Sequence, residues 1–440
     1  IRFTLLALIL TACAEPTTAP ATTSPPVEPT ATVAAAPTTA PTTAPTTAPE
    51  GKVTLTVWDY YGDATPIKPL IEPFEKENPN ITIQYEALDW NTTLEKMNVV
   101  LTGGNPPDVA TVDMTWLPRF AALGAFTDLK PLSGDKLNGV SFADSYTPGG
   151  LEAITFNGQT VAALYDFDVY ALYYRADLLD AKGLQPPKSW DELVQVMHQI
   201  ASGDKNLYEF DGDTFHGAQW IYENGGTLMN ADNTAAAFNS PEGVEAIQFY
   251  SDLLLKEKVA INWTTDQGER IQGVKDGRIA MFSDGPYYMG ILKSGAPEMA
   301  GKWKVAPHPF SKQPSSYLGG TGLVIPKGSP NKEAAWKFIQ FALRPENAIG
   351  VYTNAGAAPA LTAALQSDKV DVADPYFGGE HAFAVFLEAM KTAHHFPYVR
   401  QWSDIDTAFT TAMQEIALGQ KPAQKALDDA ATTTNDALTK

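Results

Sequence analysis

The chain reads as an α/β protein built in two lobes. Strand-like and helix-like segments alternate from Val53 to Val112, which is the pattern of a sheet with helices packed on its faces. Residues 51 to 440 also exceed what a single hydrophobic core usually organises, and a second series of strands and helices begins at Val161.

The elements follow in order. Val53 to Trp58 (VTLTVW) has the β-branched alternation of a strand, and Pro66 to Glu77 reads as a helix opened by proline in its first turn. A strand at Ile81 to Ala87, a helix around Thr92 to Leu101 and a short apolar strand at Asp108 to Val112 come next. This order predicts a largely parallel sheet, with ligands beyond the carboxyl ends of its strands. Trp58-Asp59-Tyr60-Tyr61 and Asp113-Met114-Thr115-Trp116 lie at those ends.

The second series opens with strands at Val161 to Tyr165 and Tyr170 to Tyr174. Helices are predicted at Trp190 to Ile200, Pro241 to Leu255, Gly268 to Lys275, Lys332 to Leu343, Glu380 to Lys391, Asp404 to Leu418 and Pro422 to Leu438. Ser189-Trp190-Asp191-Glu192 has capping-box spacing, and Ser240-Pro241 supplies a cap with proline at the first helical position. No internal repeat of fixed period is present.

Ahead of these elements, Leu10-Thr11-Ala12-Cys13 has the form of a bacterial lipobox behind a short apolar run with Arg2 before it. Such a run is too short to span a bilayer and fits an export signal, so the expectation is an exported protein anchored to the outer face of the cytoplasmic membrane through lipidated Cys13. Residues 14 to 50, almost all Thr, Ala and Pro, are expected to be a disordered, extended linker reaching up to roughly 100 Å. Cys13 is the single cysteine, which rules out an intramolecular disulfide. A formal charge of −20 repels phosphate backbones, and no nucleic-acid partner is expected.

Several motifs then occur in a fixed order. They are Gly104-Asn105-Pro106-Pro107-Asp108-Val109; Leu172-Tyr173-Tyr174-Arg175-Ala176-Asp177 with Trp190-Asp191-Glu192-Leu193; Gly277-Arg278-Ile279-Ala280-Met281 leading to Gly285-Pro286-Tyr287; Gly319-Gly320 before Leu323-Val324-Ile325; Ala334-Ala335-Trp336-Lys337-Phe338; and Gly419-Gln420-Lys421. In this order they resemble the extracellular solute-binding proteins of ABC importers, sugar-binding type, over essentially all of residues 51 to 440. The resemblance implies a two-lobed periplasmic-binding-protein fold with a ligand cleft between lobes and three interlobe crossings, near residues 162 to 168, 305 to 312 and 368 to 376. It places lobe 1 at 51 to 164 plus 310 to 372, and lobe 2 at 165 to 309 plus 373 to 440. It further implies a monomer that closes on a carbohydrate and hands it to a membrane permease, with no cofactor, no metal and no catalysis.

A sugar offers hydroxyls at its edges and apolar faces above and below, so its site needs carboxylates in the ring plane and aromatics on the faces. In the first lobe the candidates are Trp58, Tyr61 and Asp63 after the first strand, and Asp113 with Trp116 after the Asp108 to Val112 strand. Around the first crossing, Tyr165, Asp166 and Asp168 interleave acids and rings; by resemblance Asp168 matches a ligand-binding glutamate and Tyr174 a stacking tyrosine. In the second lobe, Tyr287 takes the place of a sugar-stacking tryptophan, with Asp284 and Tyr288 beside it. Trp220, Arg400 and Trp402 are further candidates, and Gly320 would let backbone approach the ligand. Core packing is the competing reading for the tryptophans.

A surface glycoside hydrolase would need a similar cleft with two catalytic carboxylates. The chain has no Gly-x-Ser-x-Gly elbow and no His-Glu-x-x-His, and His394-His395 has no acidic ligands at metal-binding spacing. A surface adhesion or scaffold protein, the other alternative, would carry exposed apolar patches for a protein partner.

Overall fold

The computed structural model describes residues 51–62, 65–101, 103–263 and 267–439. The lipobox with Cys13, the Thr/Ala/Pro-rich segment and Asp63 lie outside the described residues. Twelve strands define the frame: β1 (Val53–Asp59), β2 (Ile81–Ala87), β3 (Val109–Asp113), β4 (Ala163–Val169), β5 (Ala171–Arg175), β6 (Leu207–Asp211), β7 (Ala260–Trp263), β8 (Ile279–Asp284), β9 (Trp303–Ala306), β10 (Ser316–Val324), β11 (Ala358–Pro359) and β12 (Ala393–His395).

They form two sheets. The first runs β11-β4-β10-β3-β1-β2 with β12 beside the start of β10, and the second runs β7-β6-β8-β5-β9. In the first sheet β1 pairs in parallel with β2 and β3, as expected from the strand–helix alternation. The sheet is nevertheless mixed rather than largely parallel. β10 arrives from the other sheet and runs antiparallel to both β3 and β4. The second sheet repeats this plan, with β6, β7 and β8 parallel and β5 reversed against β8 and β9.

Local sequence explains the helices. Ser189 Oγ accepts from Glu192 N at 3.3 Å, and the Glu192 carboxylate returns to Lys188 N at 2.7 Å, fixing the start of helix Trp190–Ile200. Ser240 caps Pro241–Leu255 by accepting from Gly243 N at 3.2 Å. The helix expected from Pro66 instead opens as a 3₁₀ turn, Lys68–Leu70, and becomes α-helical only over Ile71–Glu77. Pro69 sits in that turn and Pro73 in the first α turn, where a missing N–H costs no helical bond.

The chain passes between sheets at Tyr170, between β4 and β5; again over residues 307–315, between β9 and β10; and a third time between β11 and helix Ala382–Ala389, which packs on β5 and β9, after which β12 returns to the start of β10 before the C-terminal helices. The first passage falls beyond the expected 162 to 168, and after the expected 164/165 lobe boundary, because β4 stays paired with β10 as far as Val169. One buried core lies around β1, β3 and helix Lys332–Ala342, and two more pack around the second sheet. Among the described residues no helix is long and apolar enough to cross a membrane.

Candidate functional site

Both sheets aim the carboxyl ends of parallel strands at a shared cavity of about 700 Å³. From the first sheet, β1 delivers Tyr60 and Tyr61, whose rings stack with centroids 5.2 Å apart. Both phenols reach Thr321 Oγ1 on β10. Strand register then sets Asp113, Thr321 and Asp166 side by side across β3, β10 and β4.

Neutral donors hold Asp113: Trp90 Nε1 donates to Oδ2 at 3.0 Å, and Thr115 donates to Oδ1 through N at 2.8 Å and Oγ1 at 2.6 Å. Burial raises its pKa above the ordinary carboxylate value. Asp166 Oδ1 accepts from Thr321 N at 3.1 Å, while Oδ2 has no hydrogen-bond partner. Burial lifts its pKa to about 7. Asp168, two residues on and so on the same face of β4, accepts from Tyr317 OH at 3.2 Å through Oδ2 and leaves Oδ1 unpartnered. Its pKa is raised by burial and then by the charges of Asp284 and Asp166.

The opposite wall rests on a buried ion network. Arg270 donates through Nε to Glu209 Oε1 at 2.5 Å, through Nη2 to Asp211 Oδ2 at 2.9 Å, and through Nη1 to Asp284 Oδ2. His216 sits beside it, with Nδ1 2.8 Å from Asp213 Oδ1 and Nε2 3.1 Å from the Ser283 carbonyl oxygen. Burial opposes charging of this ring, but Asp213 and Asp211 outweigh it and raise the pKa to about 10. Asp211, Asp213 and His216 also bring ligand atoms within 4.8 Å of one another, as a metal site would. A ring protonated on both nitrogens has no lone pair to offer a metal.

Of the residues expected from sequence, Tyr61, Asp113, Asp166, Asp168, Asp284, Tyr287 and Gly320 line the cavity. Gly320 is glycine for a different reason than expected: a Cβ there would meet the Asp166 carbonyl oxygen, so it is the β4 backbone that requires the close approach. The remaining described candidates lie elsewhere. Trp58 packs in the first core with the Lys96 ammonium 4.2 Å from its ring centroid. Tyr165 is fully buried, since its side chain points to the face of β4 opposite Asp166. Trp116 is buried behind Trp90 and Tyr60, with centroids 4.6 and 5.6 Å away, and supports the wall without reaching the cavity.

Tyr174 and Trp220 belong to the second lobe's core, where Trp220 stacks on Tyr250. Tyr288 is buried under Arg270, and Trp402 stacks on Phe396. Arg400 is exposed in the turn before helix Trp402–Ala417 and is not at the cavity.

Sequence reading missed Tyr60, Trp90, Tyr170, Asp213, His216, Arg270, Tyr317, Thr321 and Asp406, all of which line the cavity. Asp213 and His216 had a detectable local signal, an N-cap carboxylate followed three residues later by the ring it binds. Arg270 had none, because its partners lie 14 to 61 residues away.

The family described as bacterial extracellular solute-binding protein matches residues 58–349. A lactose-binding protein of Rhizobium radiobacter is 24% identical over 413 residues, covering 87% of this chain and 92% of the relative. A diacetylchitobiose binding protein of Streptomyces coelicolor is 25% identical over 390 residues, covering 85% and 87%. In three dimensions, an ABC transporter solute binding protein from Thermotoga lettingae bound with α-D-tagatose superposes with a TM-score of 0.77 at 26% identity, covering 88% of this chain and 99% of that one.

Proposed function

We propose, from the premise that this chain belongs to the bacterial extracellular solute-binding proteins, that it captures a carbohydrate between its two lobes and delivers it to the membrane permease of an ABC importer. The observation that carries this reading is the cavity itself: about 700 Å³, between two sheets, lined by tyrosines, Trp90 and several aspartates. Its volume is that of a small-molecule site. Rings can cover the apolar faces of a sugar while Asp113, Asp166 and Asp168 accept from its hydroxyls. Relatives named for lactose and diacetylchitobiose, and a similar structure holding tagatose, support a mono- or short oligosaccharide.

In this reading the lobes are residues 51–169 with 316–361 and residues 171–306 with the C-terminal helices, closing about the three passages. The sugar stabilises the closed arrangement by touching both walls and leaves unaltered. The lipobox sequence supports export and a lipid tether on Cys13, which would keep the receptor concentrated near its transporter. Thermal unfolding against a panel of sugars tests the function: a sugar that raises the melting temperature and is recovered intact supports it, and turnover of that sugar contradicts it.

A further inference from the structure

The cavity's charge is unbalanced. Among the described residues lining it, the cations are Arg270 and His216, against seven aspartates. Both cations are already committed. Arg270 is shared by Glu209, Asp211 and Asp284, and His216 is held by Asp213 and Asp211. Asp166 and Asp168 have no ion-pair partner: one is held by a backbone amide and the other by a phenol.

A second observation gives this excess a direction. Asp166 is only 4% exposed, yet it lines the cavity and its Oδ2 has no hydrogen-bond donor. Asp168 Oδ1 is likewise without a donor and lies against Gly285, which leaves Oδ2, shared with the Tyr317 phenol, as the oxygen of Asp168 nearer a ligand. A buried carboxylate oxygen left unpaired is costly, and more so when it carries charge. Sugar hydroxyls would supply donors but leave the charge uncompensated, whereas an ammonium supplies both. Tyr60, Tyr287 and Tyr317 line the same cavity, and aromatic rings also favour a nearby cation.

We propose that the ligand is a basic amino sugar, a saccharide whose ammonium group sits against the Asp166 and Asp168 carboxylates. This rests on the carbohydrate reading above and narrows it. The titratable groups acting on the pair include Asp59 from β1, Asp113 from β3, Tyr173 from β5, Asp284 from β8, Tyr317 from β10, and Tyr170 and Tyr287 beside them, and none of these is a cation. With the Asp166 pKa lifted to about 7 by burial, its carboxyl holds a proton on part of the population at neutral pH. Binding of R–NH₃⁺ then leaves R–NH₃⁺ paired with –COO⁻ and sends the carboxyl proton to solvent.

Isothermal titration of the full chain with matched sugars tests this. Glucose, glucosamine and N-acetylglucosamine, the galactose counterparts, and cellobiose beside the diamine chitobiose keep the ring and change the C2 substituent, with the hydroxyl as the small neutral control and the acetamide as the bulkier one. In the best-binding set the free amine is expected to bind at least tenfold more tightly at neutral pH than its neutral and N-acetylated forms. It should also release protons, read from buffers of different ionisation heat. In Asp166→Asn and Asp168→Asn the ratio of amine to neutral affinity should fall toward one; the ratio cancels any general loss of binding. Should a variant fail to fold, the wild-type ratio and proton release decide alone. Neutral sugars binding as tightly as their amines would overturn the amino-sugar assignment and leave the carbohydrate reading standing. Absence of binding by every saccharide would overturn both.

Discussion

The Asp168 carboxylate, projecting from β4 of the first sheet, occupies the space that a Cβ on Gly285 would fill at the end of β8 in the second sheet. Each wall of the cavity is thereby shaped by the other. Tyr173 of the second sheet fixes the same spot by donating from its phenol to the Gly285 carbonyl oxygen at 2.7 Å.

Gly285→Ala should therefore weaken ligand binding. Gly285 is not in the left-handed region, so alanine can adopt its backbone and the substitution tests the contact with Asp168. Overpacking of this kind costs roughly 1–3 kcal/mol. Titration calorimetry should show a loss of that size in affinity, and an unchanged constant would mean that Asp168 moves aside freely.

Arg270→Met should destabilise the unliganded protein by roughly 3–5 kcal/mol, because Glu209, Asp211 and Asp284 would stay buried without their counter-charge. Lysine should not restore stability, since one ammonium cannot reproduce the three-way geometry of the guanidinium. The exposed pair of Arg344 with Glu77, 2.9 Å apart, serves as the contrast: Arg344→Met should cost less than about 1 kcal/mol. Urea unfolding of the three variants checks the ranking.

Tyr287→Ala and Trp220→Ala should separate binding from stability. Tyr287 lines the cavity, and its loss should weaken sugar binding by roughly 1–3 kcal/mol through lost stacking and hydrogen bonding. Trp220 is fully buried in the second lobe and does not line this cavity, so its loss should cost roughly 3–5 kcal/mol of stability instead. Paired melting and titration measurements should show the two effects on different axes.

Stability of the unliganded protein should fall as pH rises from about 4 to about 7. Burial raises the folded-state pKa of Asp166 to about 7 and those of Asp59 and Asp406 to about 6, from 3.8. The native state thus binds more protons than the unfolded state across that window, and raising the pH favours unfolding. His216, raised from 6.5 to about 10, contributes fully below about 6.5 and loses that contribution as pH rises toward 10, so it does not reverse the trend. Urea unfolding at pH 5 and pH 7.5 measures the slope, which Asp166→Asn should flatten.

Much of the fold was legible because its signals are local. Helices Trp190–Ile200 and Pro241–Leu255 matched their expected bounds, each announced by a serine cap. β10 was not legible: no strand was predicted there, yet Gly319, Gly320 and Gly322 lie inside a buried nine-residue strand. Their small size admits the neighbouring Asp166 backbone and the Ala162 side chain, a requirement set by strands far away in sequence.

At the cavity, acids at strand ends were readable because an aspartate that closes an apolar strand fits a core poorly and needs a polar space to face. The aromatics were not, because one residue of register decides between cavity and core: Asp166 faces one and Tyr165 the other, as do Tyr287 and Tyr288. Arg270 could be found only once Glu209, Asp211 and Asp284 had been brought together by the second sheet.

Sugar capture without turnover is tested most directly by isothermal titration of the full chain with the sugar that most raises its melting temperature, followed by chemical analysis of the recovered sugar. One site per chain is expected, weakened in both Tyr287→Ala and Gly285→Ala, with the sugar recovered intact. Binding indifferent to both substitutions, or a sugar recovered as cleavage products, would contradict capture in this cavity.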